Sequence, residues 1–183
     1  MAEYYYSIDR KELEEYKPSP EDKKIFEKCY VCHKCFLYDL FISHSFRDKD
    51  IIENLVFYLW KKYRVRCFVD WKVLPRNPYV VADILKDIMH CCKAMLILRT
   101  ENSDASYWVP WEAGCFETMK DTKKISGAKY VALLSITNKS EDVTAQKILN
   151  KTFHHMEFLK RYVQTNMTPN TLHHFFLSVG IIK

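Results

Sequence analysis

Blocks of apolar and polar positions alternate along the middle of the chain in a way that predicts strands and helices in turn. Four short runs are rich in β-branched and aromatic residues, which is typical of buried strands; they lie at 38–43, 65–70, 93–99 and 129–136. Between them, apolar residues recur every three or four positions, as in amphipathic helices, at 46–63, 80–90 and 107–120. Because strands that alternate with helices form parallel sheets through right-handed crossovers, we predict an α/β fold with a mostly parallel central sheet of four to five strands.

The two ends of the chain carry weaker patterns than the middle. Residues 1–36 are mostly polar and predict a helical N-terminal extension, in which Ser19 caps a helix that begins at Pro20. Residues 37–183 form the predicted domain. After Thr137 the pattern predicts a helix, then a short strand or helix, then a last helix, at 141–150, 152–158 and 168–178.

The composition is that of a globular protein large enough for one domain with a core. The chain has 183 residues, of which 48% are hydrophobic and 28% charged. Its net charge of +5 slightly favours anionic ligands but is too small to indicate a nucleic-acid partner. The sequence holds neither an apolar run of membrane-spanning length nor a signal-peptide pattern. We therefore expect a cytoplasmic protein without a membrane partner, whose seven cysteines are reduced.

Glycine is scarce, and this scarcity excludes two large classes of nucleotide-binding protein. The chain has three glycines, Gly114, Gly127 and Gly180, which cannot build the glycine-rich fingerprint of a Rossmann fold or of a P-loop. A Rossmann redox enzyme and a P-loop NTPase are therefore not expected. A nucleotide that binds here must be held by a different arrangement.

Cysteine and histidine occur in patterns that resemble metal sites without completing one. Cys29 and Cys32, followed by a histidine, match a haem attachment motif, but covalent haem requires an exported protein. Cys35 adds a third thiol, yet no second cysteine pair lies at the spacing of a zinc finger. The adjacent histidines at 154–155 and 173–174 point in different directions and show no third ligand. We therefore predict no metal and no cofactor, and the role of the three cysteines stays open.

The stretch from Ser103 to Glu117 is the best candidate for chemistry. It follows a buried strand, and Pro110 suits the first turn of a helix because no N–H is needed there. Trp108 and Glu112 are four residues apart and would share one face of that helix. Since ligands of open α/β sheets bind at the carboxyl ends of strands, a carboxylate beside an aromatic ring at this place indicates a site. The alternative is a surface glutamate on a helix that packs two tryptophans.

Three segments, in this order and at these distances, resemble a bacterial TIR (Toll/interleukin-1 receptor) domain. They are the first box Tyr38-Asp39-Leu40-Phe41-Ile42-Ser43-His44-Ser45, the strand Cys67-Phe68-Val69-Asp70 with its following loop Leu74-Pro75-Arg76-Asn77, and the segment from Ser103 to Glu112 with Trp, three residues, then Glu. In that loop, Arg76-Asn77 replace the glycine that usually follows the proline. The resemblance covers residues 37–160, so the extension and the helices from about residue 160 are atypical. It implies a flavodoxin-like three-layer sandwich.

The family resemblance implies an activity on NAD+. In enzymatic TIR domains the glutamate that matches Glu112 is required to cleave the nicotinamide–ribose bond, so NAD+ is a substrate rather than a cofactor. Because nicotinamide in NAD+ is already a cationic leaving group, one carboxylate that stabilises the oxocarbenium-like transition state suffices. Attack by water gives ADP-ribose, and attack by a nucleophile on the adenine or ribose gives a cyclic product. Similar bacterial TIR proteins serve antiviral defence, in which the product activates a separate effector protein.

The resemblance also implies substrate-binding residues around the glutamate: Ser43, His44, Phe46, Arg47, Trp71, Ser103 and Trp108. Arg47 would contact a phosphate, or would otherwise be a charge on a helix surface. The two tryptophans would form pocket walls or pack in the core, and Ser103 would bind substrate or only cap the following segment. The loop 71–79 carries aromatic and basic side chains typical of interfaces, so we expect self-association through it unless they fold back onto their own domain.

Three other functions fit parts of this pattern. A response-regulator receiver would need acidic residues where this chain has Ser43-His44 and Leu98-Arg99-Thr100, so it is set aside. A nucleoside deoxyribosyltransferase-like enzyme would share the fold and use a glutamate on free nucleosides rather than on NAD+. The main rival is a non-catalytic TIR scaffold that acts by self-association. Such a scaffold has no use for Glu112 at this spacing, so the sequence favours an enzyme.

Overall fold

Parallel strands form the centre of the protein. A computed structural model describes residues 4–24, 38–69, 78–104, 106–121, 130–137 and 172–183. Its strands are β1 Tyr4–Asp9, β2 Leu40–Ser43, β3 Cys67–Phe68, β4 Ala94–Arg99 and β5 Val131–Thr137. Neighbouring strands pair in parallel in one five-stranded sheet, in the order β1-β5-β4-β2-β3. This arrangement confirms the predicted α/β fold.

Helices cover both faces of the sheet and complete three layers. In chain order they are α1 Arg10–Glu14, α2 at 20–24, α3 Lys49–Tyr63, α4 Pro78–Cys91, α5 Glu101–Asp104, α6 Trp108–Lys120 and α7 Leu172–Ser178. A 3-10 turn, Phe46–Asp48, leads into α3. Buried side chains of α1, α3 and α7 form a core on one face, while those of α4 and α6 form a second core on the other. The predicted three-layer sandwich is therefore confirmed.

Alternation along each strand divides the sheet's side chains between these two cores. Leu40 and Ile42 of β2 point into the first core, and Phe41 between them points into the second. In β4, Leu96 faces the first core and Met95 the second, and β5 alternates in the same way. Because both faces are covered, these strands are apolar at nearly every position, which is why they stand out in the sequence.

The N-terminal strand β1 departs from the sequence-based expectation. The polar pattern of residues 1–36 predicts a helical extension, but Tyr4–Asp9 pairs in parallel with β5, from Tyr4 opposite Ala132 to Asp9 opposite Thr137. A flavodoxin-like sheet has the strand order 2-1-3-4-5. The strands β3, β2, β4 and β5 fill its first four places, and β1, from the opposite end of the chain, takes the fifth.

The rest of the described extension packs on α3. Leu13 of α1 is buried in the first core, and the ring of Tyr16 meets that of Tyr58 edge-on at 4.9 Å between centroids. Three ion pairs join the same surfaces: Glu12 with Lys62, Asp22 with Lys61 and Lys23 with Glu53. These contacts make residues 4–24 part of the domain's packing.

The start of α2 confirms the predicted cap. Ser19 Oγ accepts a hydrogen bond from the Asp22 N–H at 3.1 Å, and the Asp22 carboxylate accepts from the Ser19 N–H at 3.3 Å. This reciprocal pair satisfies two donors that would otherwise lack partners at a helix start. Pro20 occupies the first helical position, where its missing N–H costs nothing.

Asp39 joins the amino-terminal ends of three strands, opposite the candidate site. Its carboxylate accepts hydrogen bonds from Arg66, just before β3, and lies 3.5 Å from Lys93, just before β4. Burial by itself raises the pKa of Asp39, but the hydrogen bonds and positive charges of Arg66 and Lys93 outweigh it and hold that pKa below its ordinary value. The ionised carboxylate therefore aligns β2 with both of its neighbours.

Several expectations fall outside the described residues. They concern Cys29, Cys32 and Cys35, the loop residues 71–77 with Trp71, the elements at 141–150 and 152–158, and the histidines at 154–155. The predicted last helix is described from Leu172 to Ser178. Across the described ranges, no helix is both long enough and apolar enough to cross a membrane.

Candidate active site

Glu112 and Ser43 meet at the carboxyl ends of the central strands. Ser43 is the last residue of β2 and is fully buried, and Glu112 lies in the second turn of α6 with only 2% of its surface exposed. The Ser43 hydroxyl donates to Glu112 Oε2 at 2.5 Å. The contact joins residues that are far apart in sequence at the edge where open α/β sheets bind ligands.

The position of Glu112 follows from the helical repeat of α6. Val109, Ala113 and Phe116 form the buried stripe of this helix against the sheet, and Glu112 lies within that stripe. Its carboxylate therefore points toward the sheet end and not into solvent. Pro110 is the third residue of α6, so it lies in the first turn as predicted.

Trp108 lies at the rim of the site. It begins α6, is 42% exposed, and its ring packs edge-on against Trp111 at 5.3 Å between centroids. The predicted pair of Trp108 and Glu112 thus has an exposed aromatic member and a buried acidic one, one helical turn apart. A ligand that reaches the carboxylate from solvent would find this ring beside it.

The turn after β2 separates buried residues from exposed ones. His44 is buried, and its Nδ1 donates to the Ile42 carbonyl oxygen at 3.0 Å, which fixes the ring against its own strand. Ser45 Oγ accepts from the Arg47 N–H and caps the 3-10 turn. Phe46 is 73% exposed and Arg47 is also exposed. Of the residues predicted in this turn, Phe46 and Arg47 are the ones accessible to a ligand from solvent.

Ser103 has a role inside its own loop. Its hydroxyl donates to the Thr100 carbonyl oxygen and accepts from the Thr100 N–H, both at 2.9 Å. The Ser103 N–H in turn donates to Thr100 Oγ1 at 3.0 Å. These bonds support the loop-capping alternative over substrate binding, because they engage the buried hydroxyl within the segment that leads from β4 to α6.

A buried carboxylate that the sequence did not single out lies beside this loop. Asp48 is 2% exposed and accepts hydrogen bonds from Thr100 Oγ1 at 2.6 Å and from Asn102 Nδ2 at 2.7 Å. In the sequence, an aspartate just before a predicted helix looks like an ordinary helix cap. The sequence contains no local signal that this carboxylate reaches a loop more than 50 residues away.

Three of the four described thiols are poor candidates for a nucleophile, because their environment raises their pKa. Burial raises the pKa of Cys67 and of Cys92. Burial also raises the pKa of Cys115, one turn after Glu112, and the negative charge of Glu112 adds to that rise. The fourth described cysteine, Cys91, is exposed, and no group of three possible metal ligands occurs within the described ranges. The carboxylate of Glu112 is therefore the group best placed for chemistry.

Comparison with known proteins gives one informative relative. No family model matches the chain. Over 126 residues it is 36% identical to a protein of Bacillus cereus (strain MSX-D12) named "Probable 3' cyclic ADP-D-ribose synthase ThsB'". The match spans 66% of this chain and 61% of that protein. Together with the parallel sheet, this relative supports the resemblance to bacterial TIR proteins.

Proposed function

We propose that this chain, a relative of a cyclic ADP-ribose synthase with a TIR-type fold, cleaves the nicotinamide–ribose bond of NAD+ and releases an ADP-ribose-derived signal. The observation that carries the proposal is the buried Glu112 carboxylate, held by Ser43 at the carboxyl edge of the sheet. The name of the Bacillus cereus relative supports a product of the cyclic class. NAD+ is then consumed as a substrate, and no further cofactor is required.

The buried carboxylate suits the charge that develops during this cleavage. As the bond to nicotinamide breaks, positive charge moves onto the ribose ring, and a fixed negative charge beside the ring stabilises that state. Because only 2% of the Glu112 surface is exposed to water, solvent screens its interaction with the cationic ring less than at a protein surface. The same burial means that a substrate must displace a covering group before it reaches the carboxylate.

The exposed residues around the carboxylate suit the remaining parts of NAD+. Phe46 and Trp108 present aromatic faces on which a cationic nicotinamide or an adenine can stack. Arg47 is exposed in the same turn as Phe46 and can pair with a phosphate. Ser43 and His44 are buried and hydrogen-bonded within the protein, so we assign them to shaping the site. Trp71 remains a predicted wall of the pocket.

The choice of nucleophile determines the product. Attack by water on the ribose gives ADP-ribose, whereas attack by a nucleophile within the same molecule closes a ring. A site that leaves little room for water around Glu112 favours the second route. We propose a cyclic or modified ADP-ribose that diffuses to a separate effector protein in antiviral defence. Self-association through the loop 71–79 belongs to the same proposal.

The Ser43–Glu112 pair also weighs against a scaffold without activity. Burying a carboxylate costs free energy unless hydrogen bonds or charges compensate for it. A protein that acted only by self-association would gain nothing from keeping such a group at the ligand-binding edge of its sheet. A catalytic site needs it there.

The proposal predicts that Glu112→Gln abolishes turnover while the fold stays intact. We expect release of nicotinamide from NAD+ to fall by about two or more orders of magnitude, because the amide keeps the shape and can still accept from Ser43 but carries no charge. Glu117→Gln, on the same helix, is the matched control and should retain activity. Chromatography and mass spectrometry of the filtrate identify the product. A folded Glu112→Gln protein with near-normal turnover would refute the assignment.

A further inference from the structure

Asp48 occupies a position where its side chain would ordinarily cap a helix, yet it does not. It is the N-cap residue of α3 and makes no side-chain capping bond to that helix. Aspartate is among the residues preferred at this position because its carboxylate can satisfy a free backbone N–H. Here the carboxylate instead turns away and accepts from Thr100 Oγ1 and Asn102 Nδ2.

These two bonds connect loops that follow neighbouring strands. Asp48 ends the 3-10 turn after β2, and Thr100 and Asn102 lie directly after β4. The two strands pair side by side up to Ser43 opposite Ile97. Asp48 therefore fixes the distance between the loops beyond the last strand-to-strand hydrogen bonds, at the edge of the sheet where Glu112 lies.

The network continues on both sides of Asp48. On one side, Phe46 and Arg47 are the two residues directly before it in the same turn. On the other side, Thr100 Oγ1, which donates to Asp48, also accepts from the Ser103 N–H, in the segment that leads to Trp108. One buried carboxylate thus connects the turn that carries Phe46 and Arg47 with the segment before Trp108.

We infer that Asp48 is a positioning residue, which holds the turn of Phe46–Arg47 and the segment before Trp108 in register around Glu112. This role rests on the proposed function. It requires the hydrogen-bonding pattern of Asp48 and not its charge. Because a displacement of about 1 Å in groups that hold a substrate can lower turnover about 100-fold, loosening either loop should reduce turnover without removing a catalytic group.

The test separates hydrogen bonding from charge through two variants of one residue. Asp48→Ala removes both bonds, and we expect turnover of saturating NAD+ to fall about 10- to 100-fold at a temperature where the variant is fully folded. Asp48→Asn can still accept from Asn102 and can donate to Thr100 Oγ1, so it should keep turnover within about threefold of the natural protein. Equal loss in both variants would overturn the inference in favour of a charge effect.

A variant of Thr100 and a second measurement keep the inference testable if Asp48→Ala folds poorly. Thr100→Val keeps the side-chain shape but removes the hydroxyl, and it should lower turnover as Asp48→Ala does. Amide hydrogen exchange at Ser103, whose N–H is bonded to Thr100 Oγ1, should accelerate about tenfold or more in Asp48→Ala and stay slow in Asp48→Asn. Unchanged exchange in Asp48→Ala would show that no such connection exists.

The exchange measurement does not depend on enzymatic activity. If the natural protein fails to cleave NAD+, the proposed function fails, and the exchange rates alone decide whether Asp48 orders the two loops. If it cleaves NAD+ and Asp48→Ala does so at the same rate, the proposed function stands and the positioning role is refuted.

Discussion

A single hydrogen bond between Ser43 and Glu112 joins the end of β2 to the second turn of α6. The serine is fully buried, so it contacts Glu112 from the protein interior and does not compete with a ligand. A bond from a hydroxyl to a charged group contributes about 1.5–3 kcal/mol, enough to keep a carboxylate in one orientation. Catalysis by a charge depends on that orientation, because the charge must face the atoms on which positive charge develops.

At this scale, Ser43→Ala is predicted to lower kcat/KM for NAD+ about 10- to 100-fold, because Glu112 loses the donor that orients it. Steady-state kinetics on folded protein measure the effect. Ser178→Ala removes another serine hydroxyl with a hydrogen bond, in α7, and should leave kcat/KM unchanged. Wild-type kinetics in Ser43→Ala would show that other contacts orient Glu112.

At the scale of elements, the N-terminal segment is bound to the domain from two directions. Its strand β1 extends the sheet beside β5, and its helix α1 inserts Leu13 into the core beneath α3. The ion pairs between this segment and α3 are partly exposed and add little to stability individually. The buried apolar contacts must therefore supply most of the attachment energy.

We predict that Leu13→Ala lowers the free energy of unfolding of the whole domain by about 2–4 kcal/mol, because it leaves a cavity between α1 and α3. Urea denaturation followed by fluorescence and by circular dichroism would report one shared transition. Glu14→Ala, an exposed neighbour in α1, should change the free energy of unfolding by less than about 0.5 kcal/mol. If Leu13→Ala lowered the free energy of unfolding as little as the control does, the N-terminal segment would not contribute to the stability of the domain.

The elements that the sequence predicts well are those whose signal is local. Strands β2, β4 and β5 are buried on both faces and appear as unbroken apolar runs, and the apolar stripe of α6 places Glu112 on the sheet side. Strand β1 was not predicted because it is an edge strand outside the alternating block of strands and helices, and its stability comes from pairing with β5, far along the sequence. The role of Asp48 was not predicted for a similar reason, since its hydrogen-bond partners follow a different strand.

At the scale of the whole molecule, the remaining question is how many subunits make one active site. The loop 71–79 was predicted from its aromatic and basic side chains to contact a neighbouring subunit, and most of it lies outside the described residues. Phe46 and Trp108 are exposed and therefore accessible to a neighbouring subunit. A composite site would make activity depend on assembly.

Specific activity is therefore predicted to fall on dilution, because dissociation of subunits would take the site apart. Trp71→Ala should weaken both association, measured by sedimentation, and turnover. Activity per molecule that stays constant over about a hundredfold dilution, with monomers throughout, would show that one subunit suffices.

The placement of β1 beside β5 also determines the order in which the molecule can be completed during synthesis. Tyr4 pairs with Ala132, so β1 leaves the ribosome well before its partner strand β5 has been made. At about 5–20 residues per second, this interval lasts roughly 6–25 seconds. During this interval, β1 is unpaired and can pair with other chains or be bound by a chaperone. Among the described strands β1 precedes all the others, yet it can join the sheet only after β5 has been made.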